Sequence, residues 1–181
     1  MVTTQAPVAG PQVLYSNVNS FDSKLAVRAN VETVDDITGA YGKCAKLTGT
    51  DSADTNCYYN FSIPTSGCVA LLADVIPGEN STSFRFAKTG HAPISRSISA
   101  SELDCSRWNR LELIVDIDTG KCDLYINGAY DFTKTVPDIT VLRLVFDMDK
   151  SKISNLSDLT LHVDNIVIHG AAAEQCALTM N

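Results

Sequence analysis

The stretch from Trp108 to Gly128, W-N-R-L-E-L-I-V-D-I-D-T-G-K-C-D-L-Y-I-N-G, constrains this chain more than any other. Successive side chains of an extended strand point to opposite faces. Leu111, Leu113, Val115 and Ile117 therefore share one face, opposite Glu112, Asp116 and Asp118. That alternation marks a half-buried antiparallel strand. Asp118-Thr119-Gly120-Lys121 has tight-turn composition, with Gly120 able to supply positive φ. Asn127-Gly128 signals a second hairpin, because a type I′ turn needs positive φ at both central residues. A chain built from such units is all-β.

Short β-type runs recur throughout, separated by turn residues. The strand candidates are Val13–Val18, Lys24–Val31, Gly42–Leu47, Cys57–Ile63, Cys68–Ile76 and Ser83–Lys88. They continue with Ile94–Ile98, Leu111–Ile117, Cys122–Ile126, Tyr130–Lys134, Thr140–Met148 and Leu159–His169. Many short strands at this spacing predict an antiparallel sandwich or barrel of two packed sheets. Ser99–Cys105 has room for one helical turn. In the last run Leu159, Leu161 and Val163 hold one phase, whereas Ile166 and Ile168 hold the other. Either a bulge resets the register near Asp164-Asn165, or the strand is central and covered on both faces.

A length of 181 residues suffices for one well-cored domain. Residues 1–12 (Thr-, Pro-, Ala- and Gly-rich) read as a linker, 13–170 as the sandwich module and 171–181 as a C-terminal tail. Lys and Arg number 14 against 21 Asp and Glu, for a net charge of −7, and no basic run occurs. Phosphate binding needs clustered cations, so no nucleic-acid partner is expected. No apolar run has the length of a bilayer span, so no membrane partner is expected either. The opening linker suggests a module covalently joined to neighbouring domains in a secreted or cell-surface protein. Six cysteines, at 44, 57, 68, 105, 122 and 176, include no C-x-x-C pair, which argues against a zinc ribbon or thioredoxin-type site. Free buried thiols and at least one disulfide both remain open.

The early Phe21-Asp22, the Trp108 strand with its D-x-x-T-G-K hairpin, the Asn127-Gly128 turn and the closing Val163-Asp164-Asn165-Ile166-Val167-Ile168 resemble the concanavalin A-like and jelly-roll modules of secreted polysaccharide-degrading proteins. The resemblance extends over roughly Val13 to Gly170 in strand order. It implies a jelly-roll β-sandwich that binds polysaccharide or oligosaccharide. It also implies a structural calcium near the meeting of first and last strands, with Asp22 and Asp164 as carboxylate ligands, since calcium takes hard oxygen donors. Asp164 bonding to nearby backbone to stabilise the bulge is the competing reading.

Candidate ligand-binding residues follow from phase and chemistry. Tyr58 shares its face with Asn60 and Ser62, and a ring beside an amide and a hydroxyl suits a sugar. Arg143 and Asp147 lie on one strand face, and Arg85 opposite the Phe84/Phe86 face of another. Arginine forks grip carboxylates or vicinal hydroxyls, so convergence of Arg85 and Arg143 would favour uronic-acid polysaccharides. Tyr130 follows the Asn127-Gly128 turn and is placed to rim a groove. Trp108, heading a core strand, is expected to pack inside the sandwich.

No catalytic residue is assigned. His91, His162 and His169 show no ligand spacing such as H-E-x-x-H, and no G-x-S-x-G elbow occurs. Glu112, Asp116 and Asp118 alternate much as the acids of related glucanases do, but a solvent-facing hairpin edge accounts for them without catalysis. The reading is a non-catalytic carbohydrate-binding module that targets a secreted multi-domain enzyme or surface protein to a polysaccharide. A structural or adhesion sandwich is one alternative, and a small polysaccharide hydrolase or lyase another.

Overall fold

The computed structural model describes residues 12–17, 26–27, 30–49, 56–60, 63–78, 83–89, 92–148, 155 and 158–171. For 12–17, 26–27, 30, 56–60 and 171 it describes the backbone alone. The strands are β1 (Gln12–Asn17), β2 (Ala26–Val27), β3 (Asn30–Asp35), β4 (Lys43–Thr48), β5 (Asn56–Asn60), β6 (Cys68–Pro77) and β7 (Ser83–Thr89). They continue with β8 (Ala92–Pro93), β9 (Ile98–Ser99), β10 (Asn109–Asp116), β11 (Lys121–Ile126), β12 (Ala129–Thr135), β13 (Arg143–Met148) and β14 (Thr160–Ala171). A single 3₁₀ turn at Ala100–Glu102 is the helical element among the described residues.

Two antiparallel sheets form a β-sandwich, as the alternation predicts. The eight-stranded sheet runs β12-β11-β10-β6-β14-β4-β3, with β1 also paired to β14. The six-stranded sheet runs β2-β5-β13-β7-β8, with β9 paired to β7. The inner faces meet in one apolar core that includes Leu71, Val75, Phe84, Phe86, Leu111, Leu113, Phe146 and Ile168. The sequence candidate Lys24–Val31 divides between the sheets: β2 pairs with β5, whereas β3 pairs with β4.

The candidate Ile94–Ile98 is not one strand but two short ones, β8 and β9, on either side of 94–97. The Ser95 hydroxyl explains the break. It accepts the Phe86 N–H at 2.7 Å, taking the place of a backbone carbonyl in the ladder.

Both readings of the closing strand hold together. β14 is central, pairing with β6 on one side and with β4 and β1 on the other. Its register against β6 shifts between Asp164 and Val167, and Asn165 sits at φ 52°. Asparagine tolerates this left-handed conformation better than most residues. The bulge keeps Leu161 and Val163, then Ile166 and Ile168, in the same core.

The two predicted hairpin turns are present. Asp116 Oδ1 accepts the N–H groups of Asp118 (2.9 Å) and Thr119 (3.1 Å). Gly120 has φ 71°, and a Cβ there would lie 2.0 Å from the Val136 carbonyl oxygen. Asn127 and Gly128 take φ 52° and 79°, both signs a type I′ turn requires. Cys68 is disulfide-bonded, while Cys44 and Cys122 are buried free thiols whose pKa values burial pushes up to about 11. The Cys105 thiol donates to the Ala100 carbonyl at 3.7 Å.

Candidate functional site

The outer face of the eight-stranded sheet gathers an aromatic and polar band whose position follows from the period-two pattern. In β10, Leu111 and Leu113 enter the core, so Arg110 and Glu112 face outward. Trp108, one residue before β10, falls in their phase. It is half-buried and lies outside the core cluster, contrary to the packing role expected of it. The reason is register: Asn109 takes the inward position, fully buried, and its amide donates to the carbonyls of Val75 (3.3 Å), Asp104 (2.8 Å) and Arg107 (3.0 Å).

A loop between β3 and β4 brings Tyr41 over this face. Asp36, nearly buried, accepts from the Thr38 N–H (2.8 Å), the Tyr41 N–H (2.8 Å) and Trp108 Nε1 (3.1 Å). Burial alone would raise its pKa, but these hydrogen bonds outweigh it and hold the carboxyl below its ordinary value. The Tyr41 and Trp108 rings meet with centroids 5.2 Å apart.

Asp74 stands at the middle of the band. It is buried on the outward side of β6, within an otherwise apolar run. Arg110 grips it with Nε and with Nη2, the latter at 3.0 Å. The Tyr41 hydroxyl donates to it at 2.6 Å and the Asn165 amide at 2.8 Å. Burial and this carboxylate together raise the Tyr41 pKa. The bulge in β14 thus serves the outer face too, since it is what turns the Asn165 amide toward Asp74.

Beyond Asp74 the band continues through Glu112. Its strand neighbours are Tyr125 on β11 and Leu72 on β6, and Tyr125 in turn opposes Tyr130 on β12. The two tyrosine rings meet edge to face at 5.9 Å, and Tyr130 is 61% exposed. Glu112 is half-buried and makes no hydrogen bond or ion pair among the described residues. Burial raises its pKa, with Arg110 and His169 only partly offsetting the effect. β10 lies between β6 and β11, so Glu112 is not on the solvent-facing edge expected for it. Asp116 and Asp118 do serve the turn, Asp118 by accepting the Gly67 N–H at 3.0 Å.

The other sequence candidates lie elsewhere. Arg143 and Asp147 of β13 share the outer face of the six-stranded sheet with Arg85 of β7. In register, Arg143 is opposite Asn60 and Lys88, Val145 opposite Tyr58, and Asp147 opposite Arg85. Five of the six candidates therefore belong to three adjacent strands, while Tyr130 belongs to the other sheet. The side chains of Tyr58 and Asn60 are outside the described residues. Asp147 is answered by Lys88 at 2.7 Å and Arg85 at 3.7 Å. Arg143 and Arg85 are not register partners: four residues of β13, roughly 13 Å of extended chain, separate Arg143 from the partner of Arg85.

Of the two expected calcium ligands, Asp22 lies outside the described residues. Asp164 is buried, and its Oδ1 accepts the Asn165 N–H at 2.6 Å within the bulge. No group of three or more His, Cys, Asp or Glu able to hold a metal occurs among the described residues. Asp164 by itself does not make a calcium site.

Signals for the residues missed in the sequence existed. Trp108 is in phase with Arg110 and Glu112, and Tyr125 with Asp123 and Lys121. Asp74 interrupts V-A-L-L-A-D-V-I-P. Tyr41 carried no signal, because a loop residue has no phase.

No protein-family model matches the chain, and no curated protein sequence does. Solved structures of similar fold do. The conserved carbohydrate esterase of the Shiga toxin-encoding bacteriophage phi24B shares 12% identity at TM-score 0.60, over 90% of this chain and 100% of that one. The receptor binding domain of botulinum neurotoxin C/D mosaic serotype shares 11% at TM-score 0.57, over 93% of this chain and 50% of that one. A sialidase shares 14% at TM-score 0.54, over 85% of this chain and 17% of its own length. The chain thus spans about half the neurotoxin domain it matches. At these identities the likeness is one of fold, and it places the chain among β-sandwich domains.

Proposed function

We propose that this protein is a non-catalytic carbohydrate-binding module of a secreted or cell-surface multi-domain protein, and that it binds glycan on the outer face of its eight-stranded sheet. The observation that carries the reading is the pairing of the exposed Tyr130 and the half-buried Tyr125 with Glu112, an acceptor that has no donor among the described residues. Sugar C–H faces stack on aromatic rings while their hydroxyls seek such acceptors. The Trp108–Tyr41 pair and the Arg110–Asp74–Asn165 network border the same band.

The chemistry of the carboxylates supports binding over hydrolysis. Hydrolysis needs a pair of carboxyls flanking the glycosidic bond. Asp36 and Asp74 are taken up by hydrogen bonds and Asp123 by Lys121, so Glu112 is the acid of the band without hydrogen bond or ion pair among the described residues. Covalent linkage to neighbouring domains would raise their effective concentration at a polysaccharide surface.

Calorimetry of the intact chain against a panel of polysaccharide fragments tests the reading, with Tyr130→Ala as the control. Measurable heats that Tyr130→Ala weakens are expected. Silence across neutral, cationic and anionic glycans would remove the carbohydrate reading.

A further inference from the structure

Glu112 differs from Asp74 and Asp123 in having no ion-pair partner among the described residues. Asp74 is neutralised by Arg110. Asp123, next along the outward side of β11, is paired with Lys121 at 2.7 Å and accepts from the Thr133 hydroxyl. The charged and titratable groups around Glu112 are Arg110 and Asp116 on its own strand, Asp74 on β6, Asp123 and Tyr125 on β11, and His169 on β14. Arg110, the nearby cation among the described residues, is committed to Asp74 through two nitrogens. The His169 Nδ1 is buried and unpartnered, and no hydrogen bond joins the ring to Glu112 among the described residues. Among the described residues Glu112 therefore presents a negative charge without hydrogen bond or ion pair, half-withdrawn from water and bordered by two tyrosine rings.

We infer that the glycan recognised here carries protonated amino groups, an amino sugar or partly de-N-acetylated polymer whose ammonium seats against Glu112 and the Tyr125–Tyr130 pair. The inference rests on the carbohydrate reading of this face and narrows it. A hydroxyl would satisfy the hydrogen-bonding capacity of the carboxylate but would leave its charge uncompensated. An ammonium satisfies both, and the adjacent rings add cation–π attraction. A uronic-acid chain would bring a second negative charge to a half-buried one, where repulsion is less screened than in bulk water. The net charge of −7 acts in the same direction at longer range.

The test compares glucosamine oligosaccharides with length-matched N-acetylglucosamine, glucose and uronic-acid oligosaccharides, by calorimetry on the full chain and on Glu112→Gln. The pH is set so that the amines are protonated. An unchanged melting temperature or a higher one certifies that the variant is folded. The expected result is about tenfold tighter binding of the amino sugar than of its N-acetylated counterpart. Added salt should weaken that preference, and Glu112→Gln should abolish it. Equal affinity for amino and neutral sugars, or preference for the uronate, would overturn the inference and leave the carbohydrate reading intact. A lysine-rich peptide of equal charge binding as tightly would overturn it as well, by showing that the face takes any cation. Failure to bind any oligosaccharide would remove both.

Discussion

The two outer faces of the sandwich use similar residues to opposite ends. On the six-stranded sheet, Asp147 is answered by both Arg85 and Lys88. On the eight-stranded sheet, Asp74 is satisfied just as fully, yet two residues along the neighbouring strand Glu112 stands unanswered beside exposed aromatic surface. Residue type thus does not decide whether a charge is answered; the neighbours that the strand order supplies do.

Variants can break or sharpen this contrast. The largest effect is expected from Asp74→Ala, which strands Arg110, Tyr41 and Asn165 together. Denaturant unfolding should show a loss of about 2–3 kcal/mol. A change below about 0.5 kcal/mol would mean that the network is ornamental. Tyr130→Ala comes next. Its ring is mostly in water, so stability should hardly move, while glycan affinity falls about tenfold. Undiminished affinity would shift attention to the Trp108–Tyr41 end.

Glu112→Gln should raise the melting temperature at neutral pH by a few degrees. The sign follows from linkage. A carboxyl whose folded pKa lies above its unfolded value binds more protons when folded, so its destabilising effect grows as pH rises through the folded pKa and is absent below the unfolded one. The advantage of the variant should therefore vanish in acid. An advantage that persists there would locate its cause in something other than the charge. The smallest effect belongs to Asp147→Asn. It should cost under about 1 kcal/mol, since its partners are partly exposed, and leave glycan binding untouched. A loss of binding in this variant would reverse the assignment of the two faces.

Much of the architecture was legible in the chain. Alternation in β10, the Gly120 and Asn127-Gly128 turns and the phase change at Asp164-Asn165 each reflect a local rule, and each is where that rule puts it. The break at Ser95 was not legible, because a side-chain hydroxyl replacing a backbone acceptor leaves hydropathy unchanged. The candidate site was legible only in part. Phase correctly grouped Arg85, Arg143 and Asp147, but which charges cancel depends on which strands become neighbours. Tyr130 belongs to the band described here, whereas Trp108 was misjudged by one residue of phase. Asn109 claimed the interior because its amide reaches three carbonyls there.

The kink at Asn165 carries a consequence for how this scaffold tolerates change. Deleting Asn165 would remove the extra residue and straighten β14, leaving Leu161, Val163, Ile166 and Ile168 in one inward phase. The same inserted position supplies the amide that steadies Asp74. A lineage could thus redecorate the tyrosines and Glu112 freely, trading one ligand for another. Shortening the last strand by that one step would spare the interior and take from the exterior the amide that holds Asp74.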